Sequence, residues 1–152
     1  MKKQVKTLKI PLLRWRRLYR ELRRRSAGYR ESGAFLLGRG SKVTAFICYD
    51  DLDPAALDSG IVRIKGEAFV LLWKYCARHQ LKVIGDVHTH PTGCTAQSHS
   101  DRANPVVAQA GHIAVILPSF ASRKRPTLRG AGVYEYLGEH QWRDAAINIT
   151  VL

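Results

Sequence analysis

The sequence predicts an α+β fold, on three observations. Short apolar runs rich in β-branched residues recur along the chain and read as strands, the clearest being Leu81-Lys82-Val83-Ile84-Gly85-Asp86-Val87. Two longer stretches carry apolar residues at helical spacing. A chain of 152 residues, 45% of them apolar, has the size and composition of one domain spanning 1–152 with a real core.

The elements follow in order. Val5 to Ile10 reads as a first strand, and Pro11 suits the first turn of a helix. From there to about Ser26, Leu12, Trp15, Leu18, Tyr19 and Leu22 form an apolar stripe. Ala34–Gly38 and Lys42–Tyr49 read as two strands, joined by a hairpin turn at Gly40-Ser41. Asp50 to Gly60 is an acidic, proline-containing connection, and Ile61–Ile64 a short strand. Gly66–His79 is a second amphipathic helix with Phe69, Leu72, Trp73 and Cys76 inward. The Leu81–Val87 strand, a loop and a short helix near Ala103–Ala110 come next. Pro105 is awkward inside a helix, so Asn104 is the expected cap. His112–Leu117 is a strand, Ser119–Gly130 a basic loop, and Val133–Trp142 and Ile147–Leu152 close the domain.

No apolar run approaches 18 residues, so no membrane span or membrane partner is expected. The basic N-terminus lacks a secretory apolar stretch. Cys48, Cys76 and Cys94 are odd in number and scattered, which suggests reduced thiols in a cytoplasmic protein. Charge is unevenly placed. Residues 1–30 hold 12 Lys or Arg and one acid, Glu21, whereas the rest holds 13 basic and 11 acidic residues. On the first helix, Arg14, Arg16, Arg17, Arg20, Arg23 and Arg24 lie opposite the apolar stripe. Arg16, Arg17, Arg20 and Arg24 mark a basic partner surface suited to an acidic protein, with nucleic acid less favoured because no aromatic residues are interleaved.

The most informative segment is His88-Thr89-His90-Pro91, followed by Ser98 and Asp101. Strand side chains alternate faces, so His88 and His90 point the same way, about 7 Å apart along the strand. Two imidazoles so placed can converge on one Zn²⁺. Pro91 stops the ladder, and the loop brings Asp101, at the start of the following helix, round as a third ligand. Three protein ligands and one open position are the pattern of a catalytic zinc site. A plainer reading makes the histidines a strand-end pair and Ser98 or Ser100 a helix cap.

Here the chain resembles the JAMM (JAB1/MPN+) zinc metalloproteases, over about residues 5–140. Their motif joins an upstream glutamate to H-x-H-P, seven residues between the second His and Ser, and S-x-x-D. Glu31-Ser32-Gly33-Ala34-Phe35-Leu36-Leu37-Gly38 matches the glutamate's context, and Gly85 stands three residues before the first His, as is common there. The resemblance implies a curved mixed β-sheet flanked by helices, the JAB/MPN, cytidine-deaminase-like architecture. It makes His88, His90 and Asp101 the metal ligands, with a bound water of lowered pKa. Glu31 matches the general base and Ser98 the hydroxyl facing the oxyanion. Glu31 would otherwise be a surface carboxylate paired with Arg30 or Arg23-Arg24-Arg25, and Glu67 is a competing base. Asp86 is a candidate to orient a ligand histidine, and Cys94 an inhibitory or redox-sensitive ligand.

The function implied is deubiquitinase-like: a zinc-dependent isopeptidase or peptidase cleaving after the C-terminal tail of a ubiquitin-like modifier, in precursor maturation or deconjugation. Small relatives stand beside E1-like and E2-like proteins, including in anti-phage operons, so such proteins are expected partners. Two alternatives are a peptidase acting on small-molecule or sulfur-carrier conjugates and a nucleic-acid-associated JAB domain.

Overall fold

The strand that carries both histidines runs through the middle of the sheet, and the other elements are arranged about it. The computed structural model describes residues 4–151; Lys2 and Lys3 of the basic segment, and Leu152 of the expected last strand, lie outside the described residues. In chain order the elements are β1 (Thr7–Pro11), α1 (Leu12–Ser26), β2 (Gly33–Arg39), β3 (Lys42–Cys48), α2 (Tyr49–Leu52), α3 (Gly66–His79), β4 (Lys82–Thr89), α4 (His99–Ala103), β5 (Ile113–Leu117), β6 (Gly132–Gly138), β7 (Gln141–Asp144) and β8 (Ala146–Thr150). A single turn of 3₁₀ type, Ser119–Ala121, follows β5.

The strands form one mixed sheet in the order β7-β6-β5-β4-β2-β3-β1-β8. β4 pairs antiparallel with β2 and parallel with β5; β1 pairs parallel with β3 and β8. The sheet curls until β6 and β8 touch, and the Ala145 N–H donates to the Val133 carbonyl at 3.0 Å. The fold is therefore α+β with a curved, nearly barrel-shaped mixed sheet flanked by helices.

β2 is buried on both faces from Gly33 to Gly38, which is why it reads as an unbroken apolar run. On one face Leu36 joins Trp15, Leu18 and Leu22 of α1, with Val87, Val115 and Leu117. On the other, Phe35 and Leu37 pack with Tyr49, Leu72 and Cys76. Leu18 and Leu22 are almost wholly buried; burial of each contributes roughly 1.5–3 kcal/mol. Two close approaches demand glycine. A Cβ on Gly33 would meet the Tyr49 ring and come within 2.6 Å of the Val87 carbonyl oxygen, and one on Gly85 would lie 2.7 Å from that of Ile113.

Several expectations need correction. The helix expected after the histidine loop lies earlier, at His99–Ala103, and residues 105–110 are irregular. Pro105 explains this: it disfavours helical geometry at Asn104, which sits at φ −127°, ψ 70°. Ile61–Ile64 is no strand; Val62 and Ile64 pack on the α3-side core from an irregular loop. Trp73 is 47% exposed, because Ala68, Leu72 and Cys76 form the inward row of α3. Val133–Trp142 is a hairpin, turning at Glu139 and His140, both of positive φ as a tight hairpin turn requires.

Candidate metal centre

β4 delivers His88 and His90 to one side of its end, and the ladder continues through Thr89 before Pro91 ends it. The backbone here is held from both sides: the His90 N–H donates to the Leu117 carbonyl, and the Thr89 N–H to that of Ser32. The following loop is tied down in turn. The Tyr134 hydroxyl donates to the Thr95 carbonyl at 2.7 Å, and the Trp142 indole N–H to that of Arg102 at 3.1 Å.

Asp101 is fixed by its own helix. Ser98 caps α4 as its Oγ accepts the Asp101 N–H at 3.0 Å, while the Asp101 carboxylate accepts the Ser98 N–H at 2.9 Å. This reciprocal capping box locks the carboxylate in place. Both readings of Ser98 thus have a basis. It caps the helix as an acceptor, and its own proton stays available to the cleft.

Three donor atoms converge. His88 Nε2 and His90 Nε2 are 3.2 Å apart, His90 Nε2 is 3.2 Å from Asp101 Oδ2, and His88 Nε2 is 3.5 Å from Asp101 Oδ1. Ligands at zinc distances on a tetrahedron stand about 3.3–3.6 Å apart, so the triangle matches the expected spacing. The His90 Nδ1 lies 3.1 Å from the Cys94 carbonyl, an acceptor, so Nδ1 carries a proton; in the neutral ring Nε2 presents a lone pair, and in the protonated ring it donates to Asp101. Burial alone would raise the Asp101 pKa. The hydrogen bonds from His88 and His90 outweigh it and hold the carboxyl well below the usual range. His90 is shifted upward, first by its hydrogen bond to Asp101, against the opposing effect of burial. Lone pairs and a carboxylate facing one another across these distances fit a shared cation. Among the described residues, these three side chains are the one group of this kind.

Glu31 lines the same cleft, of about 530 Å³, with Ser98 and Asp101. The irregular loop before α3 clasps it: the Glu31 N–H donates to the Gly60 carbonyl at 2.8 Å, and the Glu31 carboxylate accepts the Val62 N–H at 3.4 Å. None of the arginines expected to compete for Glu31 pairs with it among the described residues: Arg30 donates to the Arg25 carbonyl and Arg23 has no ion-pair partner. Arg25 pairs with Glu21, Asp50 and Asp51, and Arg24 with Glu21. Glu67 stands exposed on α3.

Two sequence expectations change. Asp86 lies on the face shared with both histidines, yet its carboxylate is directed to His112, 3.6 Å away, and hydrogen-bonds neither ligand. Both belong to the buried interior, where a strand-period rule cannot tell one buried neighbour from another. Cys94 approaches His90 through its main-chain carbonyl; its thiol is not in the donor group. Cys48 and Cys76 are buried, and burial pushes the Cys48 thiol up to about 12.

A buried hydroxyl cluster was missed by sequence reasoning. Thr89 Oγ1 accepts the Ser32 N–H at 3.0 Å and lies 3.1 Å from Ser26 Oγ, which is 2.7 Å from Ser32 Oγ. Ser32 Oγ donates to the Leu22 carbonyl at 2.8 Å. All three side chains are wholly buried. They join the end of α1 to the residue after Glu31 and to the residue between the histidines. The signal was the polar residue inside H-x-H: its side chain must face away from the metal and into the core.

No family model matches the chain. Solved structures of similar fold include the solution structure of a protein from Desulfitobacterium hafniense (TM-score 0.64, 15% identity, covering 94% of this chain and 92% of that one). The solution structure of a Salinibacter ruber protein is similar at TM-score 0.58 and 14% identity, with the same coverage. The crystal structure of a JAB1/MPN domain protein from Archaeoglobus fulgidus aligns at TM-score 0.48 and 17% identity, over 93% of this chain and 98% of that one. The architecture therefore recurs in other proteins over nearly the whole chain. Among the described residues, no helix is long and apolar enough to cross a membrane.

Proposed function

We propose that this chain is a metal-dependent peptidase that hydrolyses the amide or isopeptide bond after the C-terminal tail of a ubiquitin-like modifier, with His88, His90 and Asp101 holding Zn²⁺. The observation that carries the reading is the convergence of these three donors at 3.2–3.5 Å beside a cleft lined by His90, Asp101, Glu31 and Ser98. A divalent ion bound there supplies Lewis-acid chemistry, lowering the pKa of a coordinated water and polarising a carbonyl.

The chain's own residues account for the proton and charge movements. Glu31 takes a proton from water as the water oxygen bonds to the carbonyl carbon, and returns it to the nitrogen as the C–N bond breaks. Water is added across the bond, leaving a carboxylic acid and an amine. The Ser98 hydroxyl, fixed as the α4 cap, donates to the oxygen on which negative charge develops. The Ser26–Ser32–Thr89 cluster positions Glu31 and the histidines relative to one another. The substrate tail lies extended between the wall at Ile61 and Val62 and the wall from Pro91 to Ser98, where small residues such as glycine pass.

The test uses purified full chain and a fusion in which a ubiquitin-like protein with a Gly-Gly tail precedes a reporter. Cleavage after the tail should require metal and disappear in Glu31→Ala and His88→Ala. Full activity in metal-stripped protein would sink the proposal.

A further inference from the structure

A second cavity lies on the far side of the Ser119–Ala121 turn. It measures about 510 Å³ and is lined by Arg20, Arg23 and Arg24, by Ala27 and Gly28 just past α1, and by Phe120 and Ser122. No acidic residue lines it. Arg24 pairs with Glu21, but Arg20 and Arg23 have no ion-pair partner among the described residues. Both are exposed. Lysine- and arginine-rich last turns are common because they complement the helix dipole. That effect explains basic side chains on α1; it does not explain an acid-free concavity with an aromatic residue in its wall.

Phe120 enters the wall from a costly backbone. Ser119, Phe120 and Ala121 all have positive φ, 54°, 57° and 53°, although none is glycine. Each such residue costs roughly 1–2 kcal/mol. Strain of this kind persists where surrounding contacts over-determine it, and it clusters at ligand clamps. Here the Ser119 N–H donates to the Thr92 carbonyl and the Phe120 N–H to that of His90, both at 2.9 Å. These bonds fix the turn from which Phe120 lines the cavity, about a hundred residues from the arginines in sequence.

Planar guanidinium groups match phosphate oxygens in fork geometry. An aromatic side chain beside them offers a stacking surface for a base. The volume falls within the roughly 300–1,000 Å³ of small-ligand sites. An acidic peptide would satisfy the arginines but has no use for the aromatic wall. We propose that this cavity is a nucleotide-binding site, with phosphate held by Arg20 and Arg23 and the base against Phe120. A free nucleotide and one nucleotide of a single strand present the same chemistry.

Binding of the intact protein to ATP, inorganic triphosphate, single-stranded oligodeoxyadenylate and an abasic strand of equal length separates these. ATP and the oligonucleotide should each bind more tightly than their base-free counterparts, and tighter binding of one or the other identifies the source. Arg23→Glu should weaken binding at least ~10-fold, while Arg16→Glu, the same charge change outside the cavity, should have a much smaller effect. Phe120→Ala should weaken binding of the base-containing probes about 10-fold and leave the base-free probes unchanged; Phe120→Leu, which keeps apolar bulk, is compared alongside it in case alanine disturbs the turn. The proposal is overturned if Arg16→Glu and Arg23→Glu act equally, if base-free probes bind as well as ATP, or if polyglutamate displaces the oligonucleotide.

Discussion

The metal cleft and the arginine cavity back onto the same turn, and they handle charge in opposite ways. In the cleft, two imidazoles converge on a carboxylate, and two of the three donors are held by a further bond: His90 by Cys94, Asp101 by Ser98. In the cavity, like charges stand together without an acid in the wall. The first arrangement needs a cation to complete it, the second an anion. The donor group is local in sequence, His88, His90 and Asp101 falling within fourteen positions; the cavity joins the end of α1 to residue 120. Phe120 links them: its N–H donates to the His90 carbonyl, and the residue lines the arginine cavity.

The largest effect should come from the cleft. His88→Ala or Glu31→Ala should reduce cleavage of the fusion by at least ~10²–10⁴-fold, whereas Arg23→Glu should leave it near wild type. A comparable loss in Arg23→Glu would show that the two regions act as one site. Next, Ser98→Ala should slow cleavage by about 10²–10³-fold and remove a helix cap worth roughly 0.5–2 kcal/mol. Steady-state kinetics and denaturant melts separate these contributions, and unchanged kinetics in Ser98→Ala would leave capping as the serine's only role.

A smaller effect is expected at the buried hydroxyls. Thr89→Val keeps the shape but strands the Ser32 N–H, and should cost about 1–3 kcal/mol in urea denaturation. A loss below about 0.5 kcal/mol would mean that the cluster does not set the spacing of Glu31 and the histidines. The smallest effect is at the shared turn. Ser119→Gly removes a left-handed penalty and should stabilise the protein by about 0.5–1 kcal/mol; a destabilised variant would show that the serine side chain contributes more than its backbone costs.

The donor group was legible because its spacing is local. Period-two alternation puts His88 and His90 on one side, Pro91 marks the strand's end, and Ser98 with Asp101 spells a capping box. The core of α1 was legible from apolar periodicity and that of β2 from its unbroken apolar run. The missed features depend on sequence-distant neighbours. Asp86 was assigned to the nearest histidines, but the curled sheet brings His112 to it. Ile61–Ile64 reads as a strand by composition, yet its backbone clasps Glu31. The aromatics of the basic helix, Trp15 and Tyr19, are buried on its apolar face, so the sequence offers no stacking surface beside its arginines; Phe120 reaches their cavity only through the fold.

By itself, the sequence determined which side chains alternate, which helix faces are apolar and which polar residues gather at and beyond the end of β4, because these follow from backbone periods of 2 and 3.6 residues and from short spacing along the chain. Only the tertiary structure decided that the Ser26–Ser32–Thr89 hydroxyls meet, that Glu31 lines a cleft with His90 and Asp101, and that Phe120 lines an acid-free cavity. Those contacts are fixed by how a curved sheet brings distant segments together, and no local period encodes that curvature.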